Sequence, residues 1–132
     1  MTPAPHAAPP RIAVLADDLI WATRLADGVR RAGGEPVPVR TAAAFDVALG
    51  SVAGCIVDLT ARAYDGLACL GAATAAGVPS IAVGQHDDTE TRRAARTAGA
   101  ARVHAYRTLF EHGDRELGGW IGGLPARTEE TA

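Results

Sequence analysis

Asp17, Asp18 and Asp58 each stand directly after a short apolar run, Ile12 to Ala16 before the pair and Cys55 to Val57 before the third. Runs that are apolar throughout are what a parallel strand buried on both faces requires, and parallel strands finish on the same side of their sheet. If the two runs are neighbours, three carboxylates converge at the crevice where an open α/β sheet binds its ligands. Such a cluster suits a divalent cation or a phosphoryl group. All 13 basic residues are arginine, so any mechanism that needs a lysine at this site is excluded.

Carboxylates a few ångströms apart raise one another's pKa values and call for a proton, a cation or an arginine. Arg62 and Arg107 are the candidate arginines, weighed against the simpler reading that both are solvated surface residues. Other chemistry-bearing residues have plainer explanations. Asp88 reads as a helix cap and His86 as an exposed loop residue, while His6, His104 and His112 lack partners at ligand spacing. Tyr64 and Asp65, with Gly66, are expected to shape a turn beside Asp58. Cys55 and Cys69 read as small buried hydrophobes rather than a disulfide or metal pair, which fits a reducing compartment.

The elements that must position the acids alternate strand and helix, the pattern of a parallel sheet with crossover helices. Five strands are predicted, at 12–16, 36–39, 54–58, 80–84 and 101–105. Strands one, three and four are apolar throughout; the second carries Pro36 and Pro38, and the fifth Arg102 and His104, as edge strands do. Placing those two outermost gives the order 2-1-3-4-5, a flavodoxin-like doubly wound (βα)5 sheet with the acids at its switch point. The helices offer apolar faces at the right spacing: Trp21, Leu25 and Val29 on the first, Phe45, Ala48 and Leu49 on the second, Leu67 and Leu70 on the third. Leu117, Trp120, Ile121 and Leu124 do the same on the last. Thr41 and Asp88 are expected N-caps, and Gly33 and Gly77 expected helix ends. A fourth helix near 89–98 shows Arg92, Arg93 and Arg96 to solvent. The last contains Gly113, Gly118, Gly119, Gly122 and Gly123, each costing roughly 1 kcal/mol relative to alanine, and is expected to fray.

A chain of 132 residues holds one domain, expected over 11–124 between disordered tails at 1–10 and 125–132. Four of the eight prolines fall in the first ten residues. A formal charge of −2 with arginines spread along the chain argues against nucleic acid as a direct partner. No apolar stretch approaches the ~20 residues of a membrane span, and residues 1–10 lack a signal-peptide pattern, so a cytoplasmic protein is expected.

Over residues 11–124 these landmarks resemble the receiver domains of two-component response regulators. Receivers carry an acid pair after strand one, a phosphoacceptor aspartate ending strand three, and Asp-Gly seven and eight residues on; here these are Asp17, Asp18, Asp58, Asp65 and Gly66. The strand-four proline is Pro79. The family then places a serine or threonine, a Gly-Ala and a lysine, where this chain has Gly84, Gly99 with Ala100, and Tyr106. Its usual proline after the phosphoacceptor is Arg62 here.

The resemblance implies Asp58 as phosphoacceptor and a weak magnesium or manganese site formed by Asp18, Asp58 and the Thr60 carbonyl, with Asp17 acting through water. It also implies that the switch is degenerate, because Gly84 lacks the hydroxyl and Tyr106 the cation that a phosphoryl group needs. The expectation is a stand-alone pseudo-receiver, not an enzyme. It would act by docking to a histidine kinase, an output protein or a second copy through a helix-four to helix-five face bearing Arg92, Arg93, Arg96 and Arg102. A non-signalling assembly module on the same scaffold is the alternative.

Overall fold

The computed structural model describes residues 8–85 and 88–125. The proposed disorder of residues 1–7 and 126–132, and the readings of His6, His86 and Asp87, lie outside them. Five strands, β1 (Arg11–Leu15), β2 (Glu35–Val39), β3 (Gly54–Asp58), β4 (Ser80–Gly84) and β5 (Arg102–Ala105), alternate with five helices. The helices are α1 (Leu19–Arg31), α2 (Ala42–Ala48), α3 (Gly66–Ala75), α4 (Thr89–Thr97) and α5 (Tyr106–Gly122). All strand pairs are parallel and the order is β2-β1-β3-β4-β5. The expected fold is therefore the observed one, with its switch point between β1 and β3.

Alternation along the strands sorts the core into two layers. Ala13, Leu15, Cys55, Val57, Ala82 and Val103 pack on the α2–α3–α4 side around Phe45 and Leu70. Ile12, Val14, Ile56, Ile81 and Val83 face α1 and α5, meeting Leu25, Val29, Leu117, Trp120 and Ile121. Both cysteines are buried, and burial pushes the Cys55 thiol up to about 12, so both behave as packing groups. The proline-bearing β2 is only partly buried, as its edge position predicts.

Local signals mostly match. Thr41 and Asp88 accept the expected capping bonds from Ala44 and Thr91, and Asp18 and Asp65 cap α1 and α3 in the same way. Gly33, Gly77 and Gly99 take positive φ just past helix ends.

Four readings need correction. Leu67 does not face the core: it is exposed, and Leu70 with Cys69 covers the sheet instead. Trp21 is half-buried and stands outside the core cluster that Leu25 and Val29 join. Arg92 is half-buried rather than presented on α4. The glycine-rich last helix is helical through Gly122, with non-helical backbone only at His112, because Leu117, Trp120 and Ile121 are seated in the core. Burying those side chains offsets the glycine cost.

Candidate functional site

The site is built at the carboxyl ends of β1, β3 and β5. Asp58, last residue of β3, is 1% exposed. Its Oδ1 accepts from the Thr60 amide at 2.9 Å and the Thr60 hydroxyl at 2.8 Å. A third, short hydrogen bond reaches the same oxygen from the Tyr106 phenol. The Tyr106 and Thr60 hydroxyl oxygens are 2.8 Å apart, which closes a triangle over the carboxylate. Asp58 Oδ2 is also buried and has no hydrogen-bond partner among the described residues.

Tyr106 reaches Asp58 because β5 passes into α5 without a loop: Ala105 is extended, and Tyr106 is the first helical residue. The ring is stacked on Trp21 at a centroid distance of 3.9 Å, and Trp21 in turn on Phe110 at 4.8 Å. The Arg24 guanidinium lies 5.6 Å from the Trp21 ring centre and 5.2 Å from that of Phe110. Such stacking and cation–π contacts hold an aromatic side chain in one orientation. Burial, and then the hydrogen bond to Asp58, push the Tyr106 phenol upward, so it stays a proton donor throughout the neutral range. On the far side, the buried Tyr64 phenol shares its proton between the carbonyls of Leu15 at 3.0 Å and Asp58 at 2.7 Å. It ties the ends of β1 and β3 together.

The other two acids have protein partners of their own. Asp17 Oδ2 accepts from the amides of Arg62 and Ala63, both at 3.1 Å, and the Arg40 guanidinium bonds the Asp17 carbonyl at 2.9 Å. Asp18 Oδ1 caps α1 through the Trp21 amide at 3.0 Å. Neither candidate arginine lies over the acids. Arg107 pairs with Glu111 at 3.3 Å on the surface, and Arg62 is exposed, as the simpler reading of both had it. Gly84, the last residue of β4, borders a cavity of about 470 Å³ lined also by Leu59, Thr60 and Arg92.

No family model matches the sequence, and no curated protein resembles it. Solved structures do. The receiver domain of a sensor histidine kinase from Pseudomonas aeruginosa, determined with magnesium coordinated in its active-site cleft, superposes with a TM-score of 0.74. The match covers 88% of this chain and 100% of that one at 20% identity. The fold is that of receiver domains. A Francisella response-regulator receiver agrees, with a TM-score of 0.72 over 86% of this chain and 97% of that one at 14% identity. A pilus assembly-related protein from Burkholderia pseudomallei is as similar, with a TM-score of 0.72 over 89% and 92% at 20% identity.

The Pseudomonas neighbour holds magnesium in its cleft, and the residues present here fit a divalent cation in part. The buried, unpartnered Oδ2 of Asp58 is the oxygen a hard cation would take. However, Asp17 and Asp18 each spend an oxygen on backbone amides. Among the described residues no three His, Cys, Asp or Glu side chains stand close enough to hold a metal ion.

A carboxylate oxygen buried without a partner is costly, and the cost is larger for a charged group than for an amide. Asp58→Asn keeps the acceptor that Thr60 and Tyr106 use and removes the charge. Thermal unfolding should show a gain of about 1 kcal/mol, a rise of a few degrees. A lower melting temperature would mean that Oδ2 has a stabilising partner.

Proposed function

We propose that this chain is an atypical signalling receiver in which Asp58 accepts a phosphoryl group poorly or not at all, and which acts by docking to a protein partner. The observation that carries this reading is the Tyr106 phenol hydrogen-bonded to a buried Asp58, at the position where the family it resembles has a lysine. A phosphoryl group on Asp58 would bring close to two negative charges. Here it would meet a neutral phenol and, at Gly84, no hydroxyl to draw the β4–α4 loop inward.

Asp18, Asp58 and the Thr60 carbonyl would hold a magnesium or manganese ion, with Asp17 acting through water. Bound there, the ion would supply the positive charge that the side chains do not. With two acids already engaged, binding is weak. Because Trp21 stacks on Tyr106, its fluorescence should respond to magnesium at concentrations on the order of tens of millimolar, and Asp18→Asn and Asp58→Asn should each reduce the response. A flat titration in the wild-type protein would reject the site.

Docking is assigned to the α4–β5–α5 face. Arg93 and Arg96 are exposed on α4 and make no ion pair among the described residues. Arg92, by contrast, bonds the Val103 carbonyl at 3.2 Å, and Arg102 lies 3.6 Å from the Glu116 carboxylate. The basic character of the face therefore rests on Arg93 and Arg96. Binding, as a homodimer or to an acidic partner protein, is constitutive and weakens as salt rises, since exposed charges are screened within ~8 Å at physiological ionic strength. Association measured by sedimentation across a salt series tests this, and salt-independent association would reject it.

A further inference from the structure

Asp58 is sealed by an aromatic assembly that the loss of a cation does not by itself require. A small uncharged residue at position 106 would place no ring beside the carboxylate. Instead the Tyr106 ring lies between Trp21 and the acid, its hydroxyl bonded to Asp58 Oδ1 and 2.8 Å from the Thr60 hydroxyl. Trp21 is backed by Phe110, and Arg24 lies over both rings. The assembly joins the start of α1 to the first turn of α5, so the ring is held from two elements at once. Immediately beside it, Leu19 and Ile20 are 68% and 66% exposed, so the stack sits at the edge of the protein and not in its core.

We propose that Tyr106 is a gate over Asp58, held shut by Trp21 and Phe110, and that this ring limits the reaction of the carboxylate with phosphoryl donors. The inference rests on the reading of Asp58 as a degenerate phosphoacceptor and says what makes it so. The reaction in question is attack of an Asp58 carboxylate oxygen on the phosphorus of an acyl phosphate. A new P–O bond forms, the P–O bond to the acyl group breaks, and the carboxylate of the donor leaves with the electron pair. In-line attack needs the donor on the open side of the carboxylate and a clear path for the leaving group. With Oδ1 under Tyr106 and Thr60, and Oδ2 buried, no such path is open while the ring stays in place. Tyr106 is thus a positioning residue, acting through access to Asp58.

Labelling by acetyl phosphate in magnesium buffer, trapped with borohydride and read by mass spectrometry, separates the gate from the missing cation. Tyr106→Ala removes the ring and adds no charge; it is expected to raise the labelling rate at least about tenfold, 1.4 kcal/mol of barrier. Tyr106→Phe keeps the ring on Trp21 and should stay within about twofold of wild type. Trp21→Ala, which leaves Tyr106 in place but unsupported, should fall between them, and it serves if Tyr106→Ala unfolds by circular dichroism. Slow labelling of wild type, Tyr106→Ala and Trp21→Ala alike, with an increase only in Tyr106→Lys, would overturn the gate and leave the degenerate-receiver reading standing. Rapid, stoichiometric labelling of the wild-type protein would overturn that reading itself.

Discussion

Reversing Arg93 and Arg96 together to glutamate is expected to weaken association at least about a hundredfold, because like charges set against each other across an interface cost several kcal/mol. The effect is large because both side chains are exposed and lack intramolecular ion partners among the described residues, so their charge is presented outward. Far-ultraviolet circular dichroism and the melting temperature should be unchanged. Arg92 is left alone on purpose: its guanidinium is bonded to the Val103 carbonyl, and reversing it would disturb the seating of α4 on β5 as well as the surface. Association that survives the double reversal would move the interface away from α4.

The largest expected loss of stability comes from a single methyl group. Gly99 ends the α4 turn at φ 112, and a Cβ there would come 1.9 Å from the Thr74 hydroxyl oxygen. Thr74 has little freedom to withdraw, since its hydroxyl bonds the Leu70 carbonyl at 3.0 Å and the Ala98 carbonyl at 2.8 Å, joining α3 to the end of α4. Gly99→Ala therefore combines left-handed backbone strain with a clash and should cost about 2–4 kcal/mol. Against a total of about 5–15 kcal/mol, that is a substantial fraction of the fold's stability. Chemical denaturation would measure it, and a cost within about 0.5 kcal/mol of wild type would show that the turn can rebuild around the new side chain.

How much of this was legible in the sequence follows from how local each signal is. The sheet order came from composition alone, because prolines at 36 and 38 cannot serve a central strand and Arg102 cannot be buried on both faces. Capping by Thr41 and Asp88 depends on three-residue spacing and was equally readable. The convergence of acids was legible as far as the strand ends, but no further. Asp17 turns to the amides of Arg62 and Ala63, and that choice depends on the path of the β3–α3 loop, which no spacing fixes. Tyr106 read as the loss of a charge, when its phenol is hydrogen-bonded to Asp58 and its ring stacked on Trp21. Seeing this required knowing that α5 begins at residue 106 itself, which aims the ring across the sheet ends and sends Arg107 outward to Glu111. One sequence cue was available: Tyr106 and Phe110 are one helical turn apart, a spacing that puts both rings on one face. Their meeting with Trp21, 85 residues before Tyr106, was not readable from spacing. The role of Tyr64 was missed for the same reason, since its two acceptors are backbone carbonyls on different strands.

The central claim is that the docking surface is constitutive and uncoupled from Asp58. The most direct measurement is the association constant, determined by sedimentation equilibrium for the wild-type protein with and without acetyl phosphate and magnesium, and for Asp58→Asn. All three values are predicted to agree within about twofold. A tenfold change on adding acetyl phosphate or on replacing Asp58, about 1.4 kcal/mol of coupling between the acid and the α4 face, would contradict the account and make the site a working switch.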